Sequence, residues 1–84
     1  MEPKVLFVDD DPKVLAGIRR QLRKKVPIET VESGRAGLEA MHASGPFSVV
    51  VTDYCMPEMN GIEFLTRVRQ VAPETVRVLL TGSA

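Results

Sequence analysis

Aspartates stand where apolar runs end in this sequence. Asp9 and Asp10 follow Val5-Leu6-Phe7-Val8, Asp53 follows Val49-Val50-Val51-Thr52, and Thr81 follows Val78-Leu79-Leu80. Carboxylates gathered in one place repel one another, so their pKa values rise or a cation settles among them. Hard oxygen donors at an open position suit Mg²⁺, which keeps several waters and takes one or two carboxylates plus a phosphate oxygen. Such an ion offsets charge when an anionic phosphodonor meets an anionic nucleophile. A carboxylate can then attack phosphorus and form an acyl phosphate. A threonine hydroxyl within reach could donate to one of the new phosphoryl oxygens. The bland alternative for Asp9-Asp10-Asp11 is a solvated turn, and Asp11 before Pro12 reads as a helix cap.

The chemistry needs elements that bring these residues together. Residues 4–8 form a short, nearly continuous apolar run, the mark of a strand covered on both faces in a parallel sheet. Leu15, Ile18 and Leu22 then recur on one face of a helix that ends among the basic residues 19–25. Ile28–Val31 reads as a second strand. Ser33-Gly34 opens a second helix with Gly34, Gly37, Leu38 and Met41 on one face, and Gly37 suits close approach to the sheet. Residues 47–52 read as a third strand. Asn60 with Glu63 makes a capping-box pattern for a third helix, with Ile62, Leu65 and Val68 facing inward. Val76–Leu80 reads as a fourth strand.

This β-α-β-α-β-α-β alternation predicts an α/β fold with a mainly parallel sheet and right-handed crossovers. Sites in such sheets form outside the carboxyl ends of the strands. Asp9, Asp10, Asp53 and Thr81 all fall at that edge.

Bulk properties set limits. The chain has 84 residues, one domain's worth (residues 1–84), and 11 basic side chains balance 11 acidic ones. Neutral charge without aromatic interleaving gives no reason to expect direct nucleic-acid or membrane-surface binding. No apolar stretch approaches the roughly 20 residues of a membrane span. Cys55, the sole cysteine, cannot form an internal disulfide, which suggests a reducing, cytoplasmic setting. His42, the sole histidine, reads as a surface residue on the second helix.

The motifs Phe7-Val8-Asp9-Asp10-Asp11-Pro12, Val51-Thr52-Asp53-Tyr54-Cys55-Met56-Pro57-Glu58-Met59-Asn60-Gly61 and Leu79-Leu80-Thr81-Gly82 resemble those of bacterial response-regulator receiver domains. The order and spacing match across essentially the whole chain, and the stretch around Asp53 is the specific part. The resemblance implies a flavodoxin-like, doubly wound parallel sheet in the order 2-1-3-4. It implies a phosphorelay module rather than an enzyme acting on external substrates. Asp53 would accept the phosphoryl group, from a partner histidine kinase. Asp10 and Asp53 would ligate Mg²⁺, with Asp9 supporting the ion and the backbone carbonyl of Cys55 as a further ligand. Thr81 would turn inward to meet the phosphate and reshape the neighbouring surface.

The family continues through a final helix-strand-helix, whose strand ends in a phosphate-contacting lysine. No lysine follows Thr81 here. The expectation is therefore a portion of a longer receiver, dimerising through the apolar edge of the fourth strand or by exchanging elements. A fragment serving only as a non-phosphorylatable folding or dimerisation unit is one alternative. A phosphatase of the haloacid dehalogenase type, using Asp9 as nucleophile and Asp11 as acid/base, is another. Pro12 and the motif around Asp53 argue against the phosphatase.

Overall fold

Valine-rich runs form the strands, and the capped amphipathic stretches between them form the helices. The computed structural model describes residues 4–80. Along the chain run β1 (Val5–Val8), α1 (Pro12–Leu22), β2 (Ile28–Val31), α2 (Gly34–Ser44), β3 (Val49–Asp53), α3 (Gly61–Val71) and β4 (Val76–Leu80). All strand pairs are parallel and the order is β2-β1-β3-β4, as expected from the sequence.

Each helix start has a named cause. The Asp11 side chain accepts from the Lys13 N–H at 2.9 Å, with Pro12 in the first turn. The Ser33 hydroxyl accepts from the Ala36 N–H at 3.0 Å. Asn60 and Glu63 close a reciprocal capping box with bonds of 2.9 and 3.0 Å. Such caps satisfy amide groups that a helix's first turn leaves without partners.

The core lies under α2 and α3. Leu6, Val8 and Val50 of the sheet pack there with Phe47, Ala40, Phe64 and Val68. The opposite face meets α1, which packs on β2 and contributes one buried side chain, Leu15. Alternation along β1 and β3 follows from this: alternate residues are buried and their neighbours only half-buried. Thr75 ties the start of β4 to the core by donating its hydroxyl to the Phe47 carbonyl at 2.8 Å.

Some expectations shift. β3 runs Val49–Asp53 rather than residues 47–52, because Asp53 still pairs in register with Leu80. Phe47 precedes the strand yet is buried. On α3, Ile62 is 50% exposed and Phe64 takes its place in the core. Gly61, Phe64 and Val68 share the buried stripe, at the i, i+3, i+7 spacing of one helix face. Gly37 approaches α3 more closely than it approaches the sheet. An added Cβ would lie 2.7 Å from Phe64 Cε1 and 3.3 Å from Val8 Cγ2.

Candidate functional site

Strand register sets the acidic cluster. Val8 pairs with Thr52, so the residues one step on, Asp9 and Asp53, emerge together at the carboxyl edge of the sheet. Asp9 stays in line because its N–H donates to the Val31 carbonyl at 3.2 Å. Carboxylate oxygens of Asp9, Asp10 and Asp53 all lie within 4.8 Å of one another. Asp10 is exposed, while Asp9 and Asp53 are half-buried.

Local bonds fix these side chains. The Asp11 N–H donates to Asp9 Oδ1 at 2.9 Å. Asp11 itself caps α1 through the Lys13 amide. That use of its carboxylate fits the cap reading and not an acid/base role. Thr52, fully buried, donates its hydroxyl to the Asp53 carbonyl at 3.0 Å. Gly61 packs against the same carbonyl, and an added Cβ would come within 2.4 Å of that oxygen. The Tyr54 N–H donates to the Leu80 carbonyl at 3.1 Å, and the Gly61 N–H to the Tyr54 carbonyl at 2.9 Å. β3, its following loop and the start of α3 thus brace Asp53 from behind.

The loop after Asp53 is held from within. Met56 is buried beneath it, its sulfur 3.9 Å from the Thr52 hydroxyl. Glu58 adopts φ 69°, in the left-handed region, and the Met59 N–H bonds to the Pro57 carbonyl across it. Met59 lies against Gly34, where an added Cβ would fall 2.8 Å from its sulfur. Cys55 is free and exposed.

Crowding shows in the electrostatics. Asp9 is pushed above its usual value of 3.8, chiefly by burial and further by the charges of Asp53, Asp10 and Asp11. The amide of Asp11 pulls the other way. Ionised, this cluster favours a cation.

The residues fit Mg²⁺. The donors are hard oxygens, and Mg²⁺–oxygen bonds of roughly 2.1 Å place opposite ligands about 4.2 Å apart. The cluster spans up to 4.8 Å. Two carboxylates would therefore reach such an ion with little movement, and the third would serve it through water. Lys4 lies at the opposite edge of the sheet. Its Nζ donates to the Ser44 carbonyl at 2.9 Å, sits 3.8 Å from Glu29 and lies 4.9 Å above the Phe47 ring.

Of the residues expected at the site, Asp9, Asp10 and Asp53 come together. Thr81 follows Leu80, the register partner of Asp53, and lies outside the described residues. Sequence reasoning missed Thr52, whose hydroxyl looks like ordinary strand composition inside an apolar run. It also missed the buried placement of Met56, which reads as loop. The only sequence cue for either is proximity to Asp53.

Related proteins share this architecture. A rice protein (Oryza sativa subsp. indica), two-component response regulator ORR3, is 43% identical over 84 residues, covering 98% of this chain and 64% of the relative. The crystal structure of an adenylate cyclase from Rhodopirellula baltica superposes with a TM-score of 0.93 at 36% identity, over 99% of this chain and 62% of that one. Vibrio cholerae chemotaxis protein CheY4 superposes with a TM-score of 0.89 at 30% identity, over 100% of this chain and 72% of that one. The chain thus spans under two thirds of the rice relative's length. Relatives from a plant as well as bacteria mean that similarity does not assign a bacterial source. Residues 5–84 match the family model of the response regulator receiver domain, and the chain belongs to that family.

Proposed function

We propose that the chain is the phosphoacceptor module of a two-component relay, phosphorylated on Asp53 with Mg²⁺ by a partner histidine kinase. The observation carrying this reading is the convergence of Asp9, Asp10 and Asp53 within 4.8 Å at one sheet edge. Asp10 and Asp53 would hold the ion directly, with Asp9 through water and the Cys55 carbonyl as a further ligand. The bound ion supplies charge neutralisation for an incoming phosphoryl group. A carboxylate oxygen of Asp53 attacks phosphorus and forms the acyl phosphate. The bond from phosphorus to the kinase's histidine nitrogen breaks, and the imidazole keeps that electron pair. Thr52 and Gly61 hold the Asp53 backbone still during attack, and Thr81 would donate its hydroxyl to the phosphoryl group. The exposed, unpaired Cys55 accords with a reducing, cytoplasmic setting. No helix among the described residues is long and apolar enough to cross a membrane.

The test uses acetyl phosphate, a small phosphodonor, with Mg²⁺ and intact-mass measurement. The expected result is a gain of one phosphoryl group, lost in Asp53→Asn and with chelator. A wild-type chain that gains nothing under these conditions overturns the phosphoacceptor reading. A second reading is self-association through β4, favoured by the 58% exposure of Val76 and 48% exposure of Leu80 on a strand bonded to β3. Sedimentation velocity tests it, and a compact monomer at micromolar concentration rejects it.

A further inference from the structure

A buried hydroxyl stands where the apolar run of β3 calls for one more valine. Thr52 follows Val49-Val50-Val51, shares the buried face of the strand with Val50 and is itself fully buried. Valine has the same shape and would spare the cost of taking a hydroxyl out of water. The contacts of this hydroxyl lead toward the acidic edge rather than into the core. The β1–β3 ladder ends at the Val8–Thr52 pair, before it reaches Asp53. The Asp53 carbonyl accepts instead from the Thr52 hydroxyl at 3.0 Å. Beyond Asp53 the chain passes through exposed Tyr54 and Cys55 and returns at buried Met56, whose sulfur lies 3.9 Å from the same hydroxyl. One side chain therefore touches the loop both where it leaves the sheet and where it re-enters the core.

We propose that Thr52 is a positioning residue for the cation site, its hydroxyl setting the course of residues 53–56 and with it the place of the Asp53 carboxylate relative to Asp9 and Asp10. This inference rests on the phosphoacceptor reading and adds to it a residue that touches neither ion nor phosphate. Partners of this kind, which orient a ligand from behind, are commonly worth an order of magnitude or more in metal affinity. The effect is selective. Asp9 is held by the Val31 carbonyl and the Asp11 amide, neither of which Thr52 contacts by hydrogen bond. Loss of the hydroxyl frees Asp53 and leaves Asp9 in place.

The test compares Thr52→Val, which keeps the shape and removes the hydroxyl, with Thr52→Ser, which keeps the hydroxyl. Carbon NMR of the metal-free chain reads the Asp53 carbonyl, Mg²⁺ titration reads affinity, and urea denaturation in chelator reads stability. In Thr52→Val the Asp53 carbonyl carbon should move upfield as its hydrogen bond is lost, while the Asp9 resonances hold. The Mg²⁺ dissociation constant should rise about tenfold in Thr52→Val and stay within about threefold of wild type in Thr52→Ser. A wild-type chain that takes up no Mg²⁺ would sink the phosphoacceptor reading and this inference with it. A wild type that binds Mg²⁺ and gains a phosphoryl group, beside a Thr52→Val chain that binds Mg²⁺ as tightly, would overturn this inference alone. Equal losses of affinity in both variants, a loss that merely tracks the urea midpoint, or a Thr52→Val chain that does not fold would assign Thr52 to packing and overturn it as well.

Discussion

Among single residues, Asp9 carries the clearest consequence of crowding. Its carboxyl sits above the usual value because burial and three neighbouring aspartates disfavour its charge. A raised carboxyl pKa means the folded chain binds a proton that the unfolded chain has released. Over the window between 3.8 and the raised value, stability contributed by Asp9 falls as pH rises. Above that window the full penalty remains. Removing the charge should therefore help the metal-free protein. In chelator, Asp9→Asn should melt higher than wild type, by a margin that grows as pH rises through the window and then stays level. Mg²⁺ should shrink that margin by stabilising the ionised cluster. At roughly ten times its dissociation constant, a bound ion adds about 1.4 kcal/mol to wild type. Thermal melts across pH, with and without Mg²⁺, read both effects. An Asp9→Asn margin that narrows with rising pH in chelator would contradict the crowding account.

At the scale of elements, the start of α3 fixes the position of Asp53. Gly61 approaches the Asp53 carbonyl so closely that a methyl group would collide with that backbone oxygen and with Leu79 Cδ1. Gly61→Ala should cost roughly 1–3 kcal/mol, as overpacking does, and should weaken Mg²⁺ stabilisation although Gly61 offers no ligand. Asn60→Ala removes half of the capping box and should cost about 1 kcal/mol in urea denaturation. Its Mg²⁺ response should stay near wild type, which separates helix stability from site geometry. Much at this scale is legible in the sequence. The strand-ending aspartates, the caps at Asp11, Ser33 and Asn60, and the parallel pairing of the strands follow from patterning and turn chemistry, while the strand order comes from the family resemblance. The stripe of α3 is less legible. Ile62 and Phe64 are both apolar near the helix start, and only the direction of approach of α2, set by Gly37 against Phe64, selects the phenylalanine. Thr52 is illegible for a related reason. Its role depends on a backbone carbonyl that only the finished loop turns toward it.

For the molecule as a whole, the two faces of the sheet are unequal. One face carries the core with Phe64 and Val68 over Leu6 and Val50, all fully buried. On the other, α1 packs on β2, while Val49, Val51 and Val78 remain half-buried and Val76 and Leu80 exposed. Stability must therefore come mostly from the first face. Chains of this size have total stabilities on the order of 4–12 kcal/mol. Phe64→Ala, which typically costs about 3–5 kcal/mol, should leave the chain close to unfolding. The second face has the opposite property. Val76 is 58% exposed and opens a strand hydrogen-bonded to β3 within the described sheet. Placing a charge there costs little in the monomer and opposes edge pairing between copies. Val76→Lys should shift stability by less than about 0.5 kcal/mol, as exposed substitutions do. If copies pair along β4, the same change should move the sedimentation profile toward monomer without altering the urea midpoint extrapolated to low concentration. If Val76→Lys instead unfolds the chain, β4 belongs to the core, and the division between a stable and an incompletely covered face is wrong.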